Sequence, residues 1–466
     1  MSGHRIGGRA TPVVGMPWAA APVFAELTRA LAVVPRLASY GKVTRVVGLV
    51  IEAAGLDVGL GELCRVTSLT GDRSVLAEVV GFHQGGVLLM PLGEMDGLHP
   101  GSAVRALGRS FGVDVGPGLL GRVLNGLGHP IDGLGRLDAD ERVPLSAEPP
   151  NPLAREMVGE VLETGVRAID GCLTFGRGQR VGIFAGSGVG KSTLLGMVAR
   201  QARADVNVIA LLGERGREVR EFIEHSLGPE GLARSVLVVA TGDQAALVRA
   251  RGALVATAIA EYFRDQGKQV LLMVDSVTRV AMAWREIGLA VGEPPTTKGY
   301  PPSVFAALPR LLERAGNGDR GGITGIYTVL VDGDDFNEPV ADAARSILDG
   351  HVVLTRKLAA AGHFPAIDVL DSKSRVRDQI IPPDQRSAAN LLLKTEAAYR
   401  EKEDLILVGA YQKGSDPMVD AAVALREQAL GFFQQRPEES SPLTMTRAAL
   451  RHLSVQIDAA ATRRAA

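Results

Sequence analysis

The segment Ala185-Gly186-Ser187-Gly188-Val189-Gly190-Lys191-Ser192 constrains this chain more than any other. Its alternating glycines let backbone N–H groups curl around an anion where a Cβ would clash. The apolar run Arg180–Phe184 before it reads as a strand, and Lys191–Ala204 after it as a helix. Strand, glycine loop and helix N-terminus in that order form a phosphate cradle of the Walker A kind. In such a cradle Lys191 reaches the β- and γ-phosphates of a nucleoside triphosphate, the Ser192 hydroxyl ligates Mg²⁺, and Thr193 bonds an α-phosphate oxygen. Ala185, Gly186, Ser187, Gly188, Val189 and Gly190 supply the loop backbone. The first position is Ala185 rather than Gly, which marks a subclass of the motif.

The surrounding chain alternates strand and helix signals. Val206–Leu212, Val236–Ala240 and Val270–Val274 are short, apolar and rich in Val, Ile and Leu. Strands buried on both faces of a parallel sheet read this way. Residues 153–385 are therefore expected to form an α/β P-loop domain with a mainly parallel sheet. Residues 23–115 read as a short helix followed by a small N-terminal β-barrel. Leu27, Leu31 and Val34 give the helix over Val23–Leu37 its spacing. Val43–Glu52, Leu63–Ser68, Val75–Phe82 and Val87–Met90 are β-like runs set apart by turns such as Gly71-Asp72 and Gly85-Gly86. Residues 1–22 read as a flexible Gly/Pro/Ala-rich tail. Residues 116–152 read as a linker ending on Glu148-Pro149-Pro150-Asn151-Pro152. Residues 386–466 read as a small α-helical domain with a flexible end, its helices over Ala388–Tyr399 and Pro417–Phe433.

Composition removes several function classes. With 46% hydrophobic and 22% charged residues, a large core can form. A net charge of −1 and 4% aromatics provide neither a basic field nor a stacking surface for nucleic acid. Cys64 and Cys172 lack any metal-type spacing and suit a reducing cytoplasm. No run approaches the roughly 20 apolar residues that cross a bilayer, so membrane association is expected to be peripheral only.

Binding alone is not hydrolysis, which also needs a water-positioning carboxylate, a metal carboxylate and a charge-neutralising finger. Leu271-Leu272-Met273-Val274-Asp275 is an apolar strand ending in an acid, the Walker B form, with Asp275 toward Mg²⁺. Glu214 follows the strand Val206–Leu212. In an open parallel sheet ligands bind at the carboxyl ends of strands, so Lys191, Glu214 and Asp275 can converge. From position alone Glu214 reads equally as a catalytic base or as a surface acid beside Arg215.

Five segments then resemble the rotary ATP synthase and type III export ATPases. They are Gly213-Glu214-Arg215-Gly216-Arg217-Glu218-Val219-Arg220, Asp275-Ser276-Val277-Thr278-Arg279, Gly292-Glu293-Pro294-Pro295, Gly299-Tyr300-Pro301-Pro302-Ser303-Val304-Phe305 and Arg345-Ser346-Ile347-Leu348-Asp349-Gly350-His351. The resemblance runs from about Gly41 to Gln434 and implies a RecA-like core that hydrolyses ATP with Mg²⁺. It implies that Glu214 is the base and that Arg215 and Arg279 line the phosphate site. Arg375, in Val369-Leu370-Asp371-Ser372-Lys373-Ser374-Arg375-Val376, is implied as an arginine finger donated to the next subunit. Tyr411 falls where the family sets an aromatic ring against adenine. Val280 stands where an aromatic is expected. The acidic loop Asp332-Gly333-Asp334-Asp335 reads either as facing a ring centre or as solvated.

Tyr40–Gly48 and Gly409–Pro417 are similar to the flagellar export ATPase, whereas Gly213–Glu224 and Pro91–Met95 suit the injectisome ATPase equally. The resemblance implies a homo-oligomeric, hexameric ring, cytoplasmic and peripheral to the inner membrane. Its implied partners are stalk or regulator proteins, an export gate and substrate–chaperone complexes. A rotary ATP synthase catalytic subunit and an RNA translocase are the rivals. The barrel region opposes the second, because Phe82 is its only aromatic between Gly41 and Ala106.

Overall fold

The computed structural model describes residues 39–153, 155–331 and 338–462. The expected tail 1–22, the helix over Val23–Leu37, the acidic loop Asp332–Asp335 and the last residues 463–466 lie outside the described residues.

Six strands close a barrel: β1 (Tyr40–Val47), β2 (Val50–Ala54), β3 (Glu62–Thr67), β4 (Ser74–His83), β5 (Gly86–Pro91) and β6 (Ala103–Ser110), in the spatial order β1-β2-β5-β4-β3-β6. Strand alternation turns Ile51, Cys64, Val66, Val79, Leu89 and Val104 inward to fill it. The run Val43–Glu52 is not one strand but parts of two, reversing at Gly48, where φ is 55°. β6 is hard to see in sequence because Arg105, Gly108 and Arg109 interrupt its apolar pattern.

Next come β7 (Gly112–Val115), β8 (Val123–Asn125) and β9 (Glu141–Pro144), then the short pair β10 (Val161–Leu162) and β11 (Phe175–Gly176). The main sheet has nine strands. Besides β8 it contains β12 (Arg180–Ala185), β13 (Val206–Leu212), β14 (Ser235–Ala240), β15 (Gln269–Asp275), β16 (Gly316–Asn317), β17 (Gly322–Leu330), β18 (Gly350–Leu354) and β19 (Ile367–Ser374). Its order is β19-β18-β12-β17-β15-β13-β14-β8, with β16 off the path on β17. Every pairing is parallel except β18 with β19 and β16 with β17. The stretch read as a linker, 116–152, thus includes an edge strand of the main sheet. Arg122 is clamped there by Asp132 through two hydrogen bonds of 2.7 and 2.9 Å.

The central strands are mostly apolar because helices cover both faces. Helix Ala246–Asp265 packs on β13, β14 and β15. Val280 is fully buried in that same core, so an aliphatic side chain takes the place expected for an aromatic. On the other face the helix Lys191–Gln201 shares one core with Leu392, Phe432, Leu450 and Ile457 of the C-terminal helices. Those helices are Pro383–Leu407, Pro417–Ala424, Arg426–Phe433 and Leu443–Thr462. The segment Pro417–Phe433, read as one helix, breaks at Leu425, whose φ of −110° and ψ of 16° leave the helical range. Cys64 and Cys172 are free and buried, and burial pushes their thiols up to about 11 and about 12. Among the described residues no helix is long and apolar enough to cross a membrane.

Candidate active site

β12 delivers the loop. Ala185 and Val189 are buried at its two ends, whereas Ser187, Gly188, Ser192 and Thr193 stand exposed at its mouth. Gly188 and Gly190 hold φ of 78° and 90°, values that L side chains rarely adopt. Gly190 caps helix Lys191–Gln201, whose first N–H groups carry the positive end of its dipole.

The parallel register then lines up the acids. Leu211 of β13 stands opposite Asp275 at the end of β15, so Gly213 and Glu214 lie just beyond that level. The Lys191 ammonium contacts Asp275 Oδ1 and lies 3.4 Å from Glu214 Oε1. Thr328 of β17 donates its hydroxyl to the same Asp275 oxygen at 2.7 Å. The side chains of Lys191, Glu214 and Asp275 are 11%, 11% and 3% exposed, so the cluster is buried.

Arg279 completes this group from helix Val277–Ala290. Ser276 caps that helix and accepts from the Arg279 N–H at 3.4 Å. Arg279 donates to the Gly213 carbonyl and lies 3.5 Å from Glu214 Oε2. A Cβ on Gly213 would sit 2.5 Å from Arg279 Cδ, and φ there is +74°, so glycine is required twice over. Burial pushes the Glu214 carboxyl up to about 7, the Glu218 carboxyl bonded to it pushes the same way, and Lys191 opposes both. A carboxyl poised near neutrality beside a cation suits a general base.

Three expected site residues stand apart. Arg215 has extended backbone at φ −77° and ψ 144°, which turns its side chain outward. That side chain is 81% exposed and reaches only Glu218, at 3.8 Å. Arg375 follows β19. Ser374 pairs with Gly350 and Gly350 with Val181, the starts of β18 and β12, so Arg375 lies at the amino end of the sheet. The cradle is at the other end, a strand length of roughly 15–20 Å away. The Tyr411 hydroxyl is held at 3.0 Å by both the Asp416 carbonyl and Asp420, within the helical domain.

Two residues beside the loop were missed. A Cβ on Gly190 would lie 3.5 Å from the Phe364 ring, which is 44% exposed, and one on Gly186 would lie 3.1 Å from Arg356 Nε. Both belong to the connection from β18 to β19. The available signal was an aromatic-Pro pair, Phe364-Pro365, in a connection leaving the carboxyl end of a buried strand.

The donor set fits a magnesium nucleotide. The cradle is lined by backbone amides. Asp275 and the exposed Ser192 hydroxyl are hard oxygen donors. Arg279 Nε is buried without a partner, as a site awaiting an anion would leave it.

Known proteins resemble this chain along most of its length. The ATP synthase alpha/beta family nucleotide-binding domain profile matches residues 165–374. The family's beta-barrel domain matches 43–108, and the T3SS EscN ATPase C-terminal domain matches 381–452. A flagellum-specific ATP synthase of Bacillus subtilis (strain 168) is 55% identical over 418 residues, 89% of this chain and 95% of that protein. A type 3 secretion system ATPase of Xanthomonas euvesicatoria is 53% identical over 415 residues, 89% and 94% of the two chains. The assembled ATPase EscN from the enteropathogenic E. coli type III secretion system has a TM-score of 0.85 at 46% identity, over 89% of this chain and 100% of that one. The same ATPase in complex with its central stalk EscO has a TM-score of 0.82 at 45% identity, over the same 89% and 100%. By profile, by identity and by fold, the chain belongs to the type III protein export ATPases of the ATP synthase alpha/beta family.

Proposed function

We propose that this chain is the ATP-hydrolysing motor of a flagellar type III protein export apparatus. The observation that carries the reading is the convergence of Lys191, Glu214 and Asp275, from the carboxyl ends of three separate strands and the segments that follow them, on one buried crevice at the mouth of a glycine loop. Lys191 leaves its carboxylate partners to hold the β- and γ-phosphates. Ser192 and Asp275 would hold Mg²⁺, which would supply charge neutralisation during phosphoryl transfer. Thr193 and the loop amides grip the remaining phosphate oxygens. Glu214 orients the attacking water and accepts its proton. Arg279 stabilises charge developing on the γ-phosphate. Phe364 offers a ring on the nucleoside side, a position for which Tyr411 is the alternative.

Arg375 acts in trans on this reading. Its position at the amino end of its own sheet, away from its own cradle, is what a finger donated to a neighbour requires. Copies of the chain form a ring, read as hexameric, with ATP at each interface. The complex of EscN with its central stalk supports a stalk or regulator partner. Export gate and substrate–chaperone complexes complete the partners, at a cytoplasmic site peripheral to the inner membrane.

Glu214→Gln should bind ATP yet lose turnover by about 10²-fold or more. Unchanged turnover would remove Glu214 from this role. The injectisome reading has the 53% identical Xanthomonas relative in its favour and shares the same chemistry. Rescue of swimming in a strain lacking its flagellar export ATPase, without rescue of injectisome secretion, is the expected outcome.

A further inference from the structure

The connection after β18 sets a cation against the phosphate loop with no counter-charge among the described residues. The Arg356 guanidinium lies across Gly186, with Nε and Nη2 only 3.1 and 3.2 Å from where a Cβ would stand. It occupies space that a glycine leaves open at the head of the cradle. Arg356 is exposed, and among the described residues no carboxylate pairs with it, although the next residue, Lys357, pairs with Glu403 at 2.8 Å. Arg356 is also the first residue of helix Arg356–Ala360, where a cation opposes the macrodipole. Local helix stability therefore does not account for it.

Strand order says which side of the cradle it serves. β12 lies between β18 and β17, while β15 and β13, which bring Asp275 and Glu214, lie beyond β17. Arg356 leaves β18, so it stands on the flank of the loop opposite the catalytic acids. Phe364 stands against Gly190 from the same connection.

We propose that Arg356 is a nucleotide-binding residue that grips phosphate oxygens common to ATP and ADP, away from the γ-phosphorus. It rests on the reading of the loop as a nucleotide site. A guanidinium offers a planar fork of donors to phosphate, and such charge-assisted bonds are stronger than neutral ones. A contact made equally to substrate and product sets affinity rather than the rate of the chemical step.

The test compares full-length wild type, Arg356→Ala, Arg356→Lys and Lys357→Ala. Binding of a fluorescent ADP analogue with Mg²⁺, and its displacement by ADP and ATP, are measured beside turnover and thermal midpoint. Arg356→Ala should weaken ADP and ATP alike by about tenfold. Turnover at saturating ATP should stay within about twofold of wild type, because the contact does not change during reaction. Arg356→Lys should fall between, and Lys357→Ala should match wild type. Unchanged ADP affinity in both Arg356 variants, a loss confined to ATP, or an equal loss in Lys357→Ala overturns the assignment. Saturable binding by wild type with no change in the variants sinks Arg356 alone. No binding by wild type sinks the nucleotide reading itself.

Discussion

Lys191 and Asp275 form a buried ion pair at the floor of the crevice, and Thr328 bonds the same carboxylate oxygen at 2.7 Å. Breaking such a pair from one side leaves a charge without compensation, which is worse than never having buried it. Lys191→Ala should therefore abolish nucleotide binding and also destabilise the nucleotide-free protein by about 3 kcal/mol. Urea unfolding without nucleotide measures the second effect. Wild-type stability in that variant would mean that Asp275 is solvated and that the pair holds nothing together.

Glu214 gives a pH dependence whose sign differs for activity and for stability. Burial pushes its carboxyl up from 4.5 to about 7, so the base form fills only above neutrality. The kcat/KM for MgATP, which reports the groups of the free enzyme, should rise through a midpoint near pH 7. For stability, the folded state keeps a proton that the unfolded chain releases. The Glu214 contribution is present below about 4.5 and is lost as pH rises through about 7. Glu214→Gln should flatten the unfolding profile over that window. A wild-type rate already flat across it would deny Glu214 its role as base.

The parts of this site that lie along the chain were legible, and the parts that lie across it were not. β13 and the end of β15 could be read because strands buried on both faces have few polar positions to blur them, Asn207 being the one in β13. The cradle could be read because strand, glycines and helix follow one another. Arg356 and Phe364 reach the loop only because β18 lies beside β12, a pairing that local pattern does not encode. β8 is three residues long and sits among glycines and turns, too short for periodicity to register. Arg215 came with its motif, but a motif does not give a side chain its direction; one extended residue turns it to solvent.

The barrel is tied to the core through Glu78 on β4 and Arg251 on helix Ala246–Asp265. Arg251 Nε lies 2.8 Å from Glu78 Oε2, and Nη2 contacts the other oxygen. Glu78 is 2% exposed, and burial pushes the Arg251 guanidinium down to about 10. Glu78→Ala should cost about 3 kcal/mol, because it strands the guanidinium. Replacing both partners, Glu78→Leu with Arg251→Met, should recover most of that loss. Denaturant curves of the single and double variants decide it. A double variant no better than Glu78→Ala would show that the ion pair itself, rather than relief from an unpaired charge, holds the barrel in place.

The separation of Arg375 from Glu214 within one chain gives the sharpest test of a shared site. Each alone should be nearly inactive when changed: Arg375→Ala loses about 10³–10⁵ in rate as an arginine finger does. On the ring reading proposed above, interfaces are head-to-tail, and each site takes its cradle from one copy and its finger from the next. Mixing Glu214→Gln with Arg375→Ala chains and letting them reassemble creates some interfaces with both residues intact. These join the cradle of an Arg375→Ala chain to the finger of a Glu214→Gln chain. At equal proportions and random assembly, about a quarter of interfaces qualify. The mixture should regain activity toward that fraction of wild type, while each variant alone stays silent. If Arg375 served its own cradle, every chain in the mixture would carry one lesion in its own site, and no mixing ratio would restore turnover.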